Sequence, residues 1–298
     1  MGVRDYALIW NNTILLEYGF APGGLTTITA TVGTKTITVI DIVGRTATFE
    51  INVTELVLGD TITSSDDLHL FLSSFGEEEG EGSGCCSEHP IQVLPIVMED
   101  MGAEQWLYLL EVIGNHGKYI ELDLSSCGNL NSIGGEYGVE YIVSIIMPDA
   151  VMEFYMEGFY SGNYTDLKTI SGNGVVSINE YSFSGMASLE SVSFPYADGI
   201  GGNAFYGCTG LTNLYVPNIG YIYPKAFQNT GTASLTITMG ESPPYVNTNE
   251  ASIFGDVAQK MVTVKIPNGT AANYNGEWQA AFIGENTGIH LIIQELEE

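Results

Sequence analysis

Ile178, Ile200 and Ile222 stand 22 residues apart, and so do Phe183, Phe205 and Phe227. Leu189 and Leu211, Val192 and Leu214, Phe194 and Val216, and Pro195 and Pro217 keep the same interval. Leu167 and Ile170 carry the pattern one unit back, and Ile142, Ile145, Met147, Pro148 and Phe154 carry it back again with small insertions. A unit this short cannot bury its own apolar face, so its copies must stack into a solenoid. Val192 and Phe194 alternate with Ser191 and Ser193, which predicts a strand with one buried side and one exposed side in each unit. Phe205 and Ile200 then fill the space behind the strands.

The units "SFSGMASLESVSFP" and "AFYGCTGLTNLYVP" resemble the BspA-like leucine-rich repeats of bacterial surface antigens. "VKIPNGTAANYNGEWQAAF" is similar to the module that often closes such arrays. The resemblance covers roughly residues 118–290. It implies a protein that is exported, displayed at the cell surface and adhesive toward host proteins or other cells, although neither an export signal nor an anchor is legible in these residues.

A solenoid needs its ends covered. The strand "IQVLPIVM" and an amphipathic helix follow each other over residues 91–117 and can serve as the first cap. Ala103, Trp106, Leu107, Leu110 and Ile113 form the helix stripe, with Asp100 as its cap and Gly114 as its stop. "YIELDL" is a further strand and opens the repeats, 118–260. Residues 261–298 supply the second cap, with Tyr274, Trp278 and Phe282 spaced by four and a last strand "IHLII". Ahead of the array, "EEEGEGSG" reads as a solvated linker over 77–90. Residues 1–76 alternate apolar and polar side chains in "TILLEY", "LTTITATV", "KTITVIDI" and "TATFEINV". Gly33-Thr34 fits a two-residue hairpin turn, and an immunoglobulin-like β-sandwich is the simplest closure. A helix follows, with Leu68, Phe71, Leu72 and Phe75 on one face, Ser65 as cap, Asp66 and Asp67 at its positive end and Gly76 as stop. The expected fold is thus mainly β: a short capped leucine-rich repeat solenoid behind a small β-sandwich.

Charge narrows the partners. The chain of 298 residues has 8 basic and 36 acidic side chains, a formal net charge of −28. Its cations, Arg4, Lys35, Arg45, Lys118, Lys168, Lys225, Lys260 and Lys265, are scattered singly. No basic patch can arise from sequence neighbours, which argues against nucleic acid and anionic membranes. No apolar run reaches the ~18 residues of a membrane span.

The sequence points away from catalysis. Cys208 shares its repeat slot with Met186 and Thr230, as a packing position does, and no histidine lies between His116 and His290 to act as its base. Cys127 in "DLSSCGNL" reads the same way. Cys85, Cys86 and His89 in "CCSEH" are soft ligand types suited to zinc or copper. Adjacent cysteines do not readily face one ion, however, and no second pair completes four ligands. The expectation is therefore no metal and no cofactor, with an alternative of metal-linked activity at that segment. His69, His89, His116 and His290 fall in separate elements without metalloprotease spacing. What remains is a surface. The outward strand positions Thr169, Ser171, Ser191, Ser193, Asn213, Tyr215, Thr236 and Thr238 should stack into one uncharged, hydroxyl-rich face for a host or neighbouring-cell protein or glycan. A purely structural surface component is the alternative.

Overall fold

The structure is a computed structural model. It describes residues 6–10, 13–16, 33–41, 46–53, 62–73, 84–92, 96–130, 133, 138–151, 153–154, 163–230, 234–247, 252–255, 260–284 and 288–297. Before residue 54, and at 92 and 153–154, the description is of the backbone. The chain divides into two compact units, Met1–Gly59 and Asp60–Glu298.

In the first unit, β1 (Tyr6–Trp10), β2 (Thr13–Leu16), β3 (Gly33–Asp41) and β4 (Thr46–Val53) form one antiparallel sheet in the order β2-β1-β3-β4. Gly33 and Thr34 are not a hairpin turn. They open β3, where Gly33 pairs with Val53 and Thr34 with Asn52. The long β-branched run that follows extends the ladder back through them, and strand pairing overrides the local turn signal. The strand expected at Leu25–Val32 lies outside the described residues, as do Phe75 and Gly76.

The second unit begins earlier than the acidic segment suggests. Ile62 bridges Ile96, and α1 (Ser65–Ser73) packs with buried Leu68, Phe71 and Leu72 against the helix of the first cap. The helix assigned by sequence to the N-terminal domain therefore belongs with the array, because its apolar stripe finds its cover there. Its cap is Ser64 rather than Ser65: the Ser64 hydroxyl accepts from the Asp67 amide at 3.1 Å. The Asp67 carboxylate in turn accepts from the Thr63 hydroxyl at 2.8 Å and amide at 3.2 Å. These bonds, the hydroxyl of Thr63 foremost, hold the Asp67 carboxyl below the usual carboxylate range.

Next come β5 (Ile91–Gln92), α2 (Ala103–His116), β6 (Ile120–Asp123) and β7 (Ile142–Ile146). The stripe of α2 is Trp106, Leu109, Leu110 and Ile113; Leu107 is 55% exposed and points outward, against expectation. Helix α2 runs through Gly114 and stops at Gly117, whose φ of 58° is the left-handed cap that glycine accepts at low cost. Gly102, not Asp100, is its N-cap; the Asp100 carboxylate instead accepts from the Asn129 amide at 2.9 Å.

Short strands then alternate between two sheets. Strands β9 (Thr169–Ser171), β11 (Ser191–Ser193), β13 (Asn213–Tyr215), β15 (Ser234–Thr238), β17 (Lys260–Ile266) and β18 (Ile289–Glu295) join β5 to β7 in a nine-stranded sheet. Strands β8 (Glu153–Phe154), β10 (Ser177–Ile178), β12 (Gly199–Ile200), β14 (Tyr221–Ile222) and β16 (Tyr245–Val246) form a five-stranded sheet. Pairing from β5 through β18 is parallel, as expected where each turn of a solenoid stacks on the last. One buried ladder runs Ile145, Ile170, Val192, Leu214, Ile237, Val264, and half-buried Ile293 continues its register.

Between the sheets lies a column of rings. Phe183, Phe205, Phe227 and Phe254 stack at 5.3, 5.6 and 5.6 Å, and Phe282 of α3 (Gly276–Ile283) closes the column edge-on at 5.4 Å. Tyr274, Trp278 and Phe282, spaced by four, contact in series at 4.9 and 4.6 Å. Asn275 caps α3 by accepting from the Trp278 amide at 3.0 Å.

Three successive repeats each fix two left-handed backbone positions. One slot holds Gly185, Gly207 and Asn229, at φ of 82°, 71° and 58°. The other holds Tyr181, Asn203 and Lys225, at 61°, 55° and 60°. A lysine at such a φ is strained where glycine is not. Lys225→Gly should therefore stabilise the protein, by up to about 1 kcal/mol, since the side chain is exposed. Chemical unfolding checks this; a loss of stability would mean that the turn does not impose the conformation.

Candidate functional site

The eight outward positions singled out from sequence fall on two unbroken ladders of the nine-stranded sheet. Thr169, Ser191, Asn213 and Thr236 stand in register along one, and Ser171, Ser193, Tyr215 and Thr238 along the other. All eight are exposed or half-buried, and Tyr215 is 45% exposed. Parallel in-register pairing is the reason: every strand carries its apolar residue at the same inward position, so its neighbours must face out. Both ladders run past the predicted set, to Ser144 and Thr263 on one side and to Ile146 and Lys265 on the other. The Ser144 and Thr169 hydroxyls hydrogen-bond across two strands at 2.6 Å.

On the five-stranded sheet lies a second surface that sequence reasoning missed. Ser177, Gly199, Tyr221 and Tyr245 are in register there. The Tyr221 ring lies over Gly199 where a Cβ would stand 2.0 Å from it. Tyr221 and Tyr223 meet edge to face at 5.4 Å, and Tyr245 is 65% exposed. Beside them Glu180, Asn203, Tyr223, Lys225 and Asn247 line an open cavity of about 350 Å³. Tyr221 and Tyr245 stand in a return-arm slot that holds Ser177 and Gly199 in earlier units, so the repeat consensus hides them.

The cysteines separate into two kinds. Cys208 is fully buried, and its thiol donates to the Phe183 carbonyl at 2.9 Å. Burial pushes that thiol up to about 12, far from a usable thiolate. Met186 and Thr230 in the same slot are also buried. Cys127 is buried, bonds to the Ile96 carbonyl at 3.2 Å, and is likewise raised by burial. Both are packing residues.

Cys85, Cys86 and His89 differ. Adjacent cysteines are expected not to face one ion readily, yet the two Sγ atoms stand 3.6 Å apart, and His89 Nδ1 is 4.0 and 3.3 Å from them. Nor does the segment hang in a linker. Gly84 is buried at φ 70°, and its amide and carbonyl bond to His89 and Tyr119.

His69 and His116 come together as well, although they lie 47 residues apart: His116 Nε2 and His69 Nδ1 are 3.0 Å apart between α1 and α2. Burial first, then the neighbouring His69 and Lys118, lower the His116 pKa.

This architecture, parallel strands stacked turn upon turn with apolar residues at fixed inward slots, is a leucine-rich repeat solenoid. The model for the BspA type leucine rich repeat region matches in six copies over residues 123–234 and 153–272, half of the chain. The chain belongs to that family, whose members are typically surface proteins. No curated protein matches it.

Proposed function

We propose that this is a non-enzymatic, extracellular cell-surface protein that binds a host or neighbouring-cell macromolecule through the exposed face of its nine-stranded sheet. One observation carries the reading: two continuous ladders of hydroxyl and amide side chains, with Tyr215 among them, displayed on a rigid sheet. Extended solenoid faces of this kind suit proteins and polymers better than small molecules. The net charge of −28 favours basic or neutral partners and a salt-sensitive association rate where the partner is basic. The Met1–Gly59 unit serves as a spacer or second module.

The cavity beside Tyr223 favours a second reading, glycan binding on the return face, because its ring beside amides and charged groups suits sugar hydroxyls. Arrays of extracellular-matrix proteins and of glycans, probed with the intact chain, test both. Asn213→Ala with Tyr215→Ala should weaken a protein hit at least tenfold while leaving the melting temperature unchanged. A hit weakened by Tyr223→Ala instead supports the return face. Arrays without a hit would favour a purely structural surface component.

A further inference from the structure

We propose that Cys85, Cys86 and His89 form a zinc site of three protein ligands with a fourth position open to solvent. Tetrahedral zinc with Zn–S of about 2.3 Å and Zn–N of about 2.05 Å places sulfur pairs ~3.8 Å apart and sulfur–nitrogen pairs ~3.6 Å apart. The observed sulfur pair is at 3.6 Å, and the two sulfur–nitrogen pairs, at 3.3 and 4.0 Å, straddle the second value. Three edges of a tetrahedral face are thus present before any ion arrives, and all three ligand atoms come from a single five-residue turn.

The turn is built to hold that shape. The His89 amide donates to the Cys86 carbonyl at 3.1 Å, and the Gly84 amide donates to the His89 carbonyl at 2.9 Å. Gly84 cannot be replaced without strain, since its φ is 70° and a Cβ would lie 2.9 Å from Ile91. On the far side Lys168, at the entry to β9, donates to the Ser87 carbonyl at 3.2 Å and to the Glu88 carboxylate at 2.5 Å. The turn is therefore fastened to β6 through Tyr119 and to the repeat array through Lys168. Two thiolates and an imidazole are a donor set for zinc or a softer d10 ion, not for calcium or magnesium. Three protein ligands with an open position is also the arrangement that lets zinc accept an exogenous group.

Cobalt(II) titration of the intact chain, kept reduced with a non-thiol reductant under nitrogen, tests the proposal. One equivalent should produce thiolate-to-cobalt charge transfer and the intense visible bands of tetrahedral cobalt, and one equivalent of zinc should abolish both. Zinc should also shield the two surface thiols from a thiol reagent, while buried Cys127 and Cys208 stay unreactive in either form. His89→Ala should weaken zinc by more than about tenfold, and Lys168→Ala by about tenfold through loosening of the turn. Far-ultraviolet circular dichroism should be the same for wild type and variants, because the site lies on the surface. Octahedral cobalt spectra, zinc binding unchanged in Cys85→Ser with Cys86→Ser, or copper(I) binding without zinc binding would each overturn the assignment. None of these outcomes depends on whether the strand face binds a macromolecule.

Discussion

Phe205→Ala is expected to destabilise the protein by about 3–5 kcal/mol. Phe205 has no exposed surface and sits between Phe183 and Phe227, nearly parallel to both, with interplanar angles of 7° and 3°. Truncation removes the buried ring, leaves a hole the backbone ladders cannot close, and breaks two ring contacts worth about 0.5–1.5 kcal/mol each. The backbone around it is committed on both sides: the Phe205 amide donates to Ala226 and the Phe183 amide to Ala204, each at 2.8 Å. The turns cannot slide together to fill the gap. Urea unfolding should show the loss. It should also show a smaller slope, because a weakened interface in a linear array lets the two sides unfold separately. Tyr206→Ala, one residue on and 38% exposed, should cost less than about 1 kcal/mol. Equal losses in the two variants would mean that the ring column does not hold the turns together.

The ring column and the strand face were legible because a solenoid converts sequence period directly into spatial register. Residues 22 apart become neighbours, so Phe183, Phe205 and Phe227 could be placed side by side without knowing any dihedral angle. Legibility ended where contact depends on something other than the period. The convergence of Cys85, Cys86 and His89 is set by backbone turns and by a lysine 80 residues away. Pairing of His69 with His116 depends on how two cap helices pack. Gly33-Thr34 carried a genuine turn signal, which a long strand ladder overrode. Leu107 fits a helical stripe as well as Leu109 does, and only the packed neighbour decides which is buried.

Lys260 shows the same limit, and its expected behaviour is large enough to measure. It is 4% exposed at the start of β17, and its ammonium donates to the Thr230 carbonyl and hydroxyl, both at 2.6 Å. Burial lowers its pKa from 10.5 to about 8, opposed in part by the neighbouring Cys208. Below pH 8 both folded and unfolded chains carry the proton, and the folded state bears the full desolvation cost, about 3 kcal/mol for a shift of this size. As pH rises from about 8 to 10.5 the folded chain releases its proton while the unfolded chain keeps it. The unfolded state then binds more protons, so the contribution of Lys260 to stability rises with pH across that window. Cys208 and Tyr274, each pushed up to about 12 by burial, act in the opposite sense at the alkaline end, so the wild-type curve alone would hide the effect. Lys260→Met isolates it. At neutral pH the variant loses the buried charge but leaves the Thr230 carbonyl without its donor, a penalty of about 1–3 kcal/mol that nearly offsets the gain. By pH 10.5 the wild type should have improved relative to Lys260→Met by about 3 kcal/mol. Urea unfolding of both proteins at pH 7 and pH 10.5 reads the difference, and a gap that stays constant with pH would show that Lys260 is not held at depressed basicity in the fold.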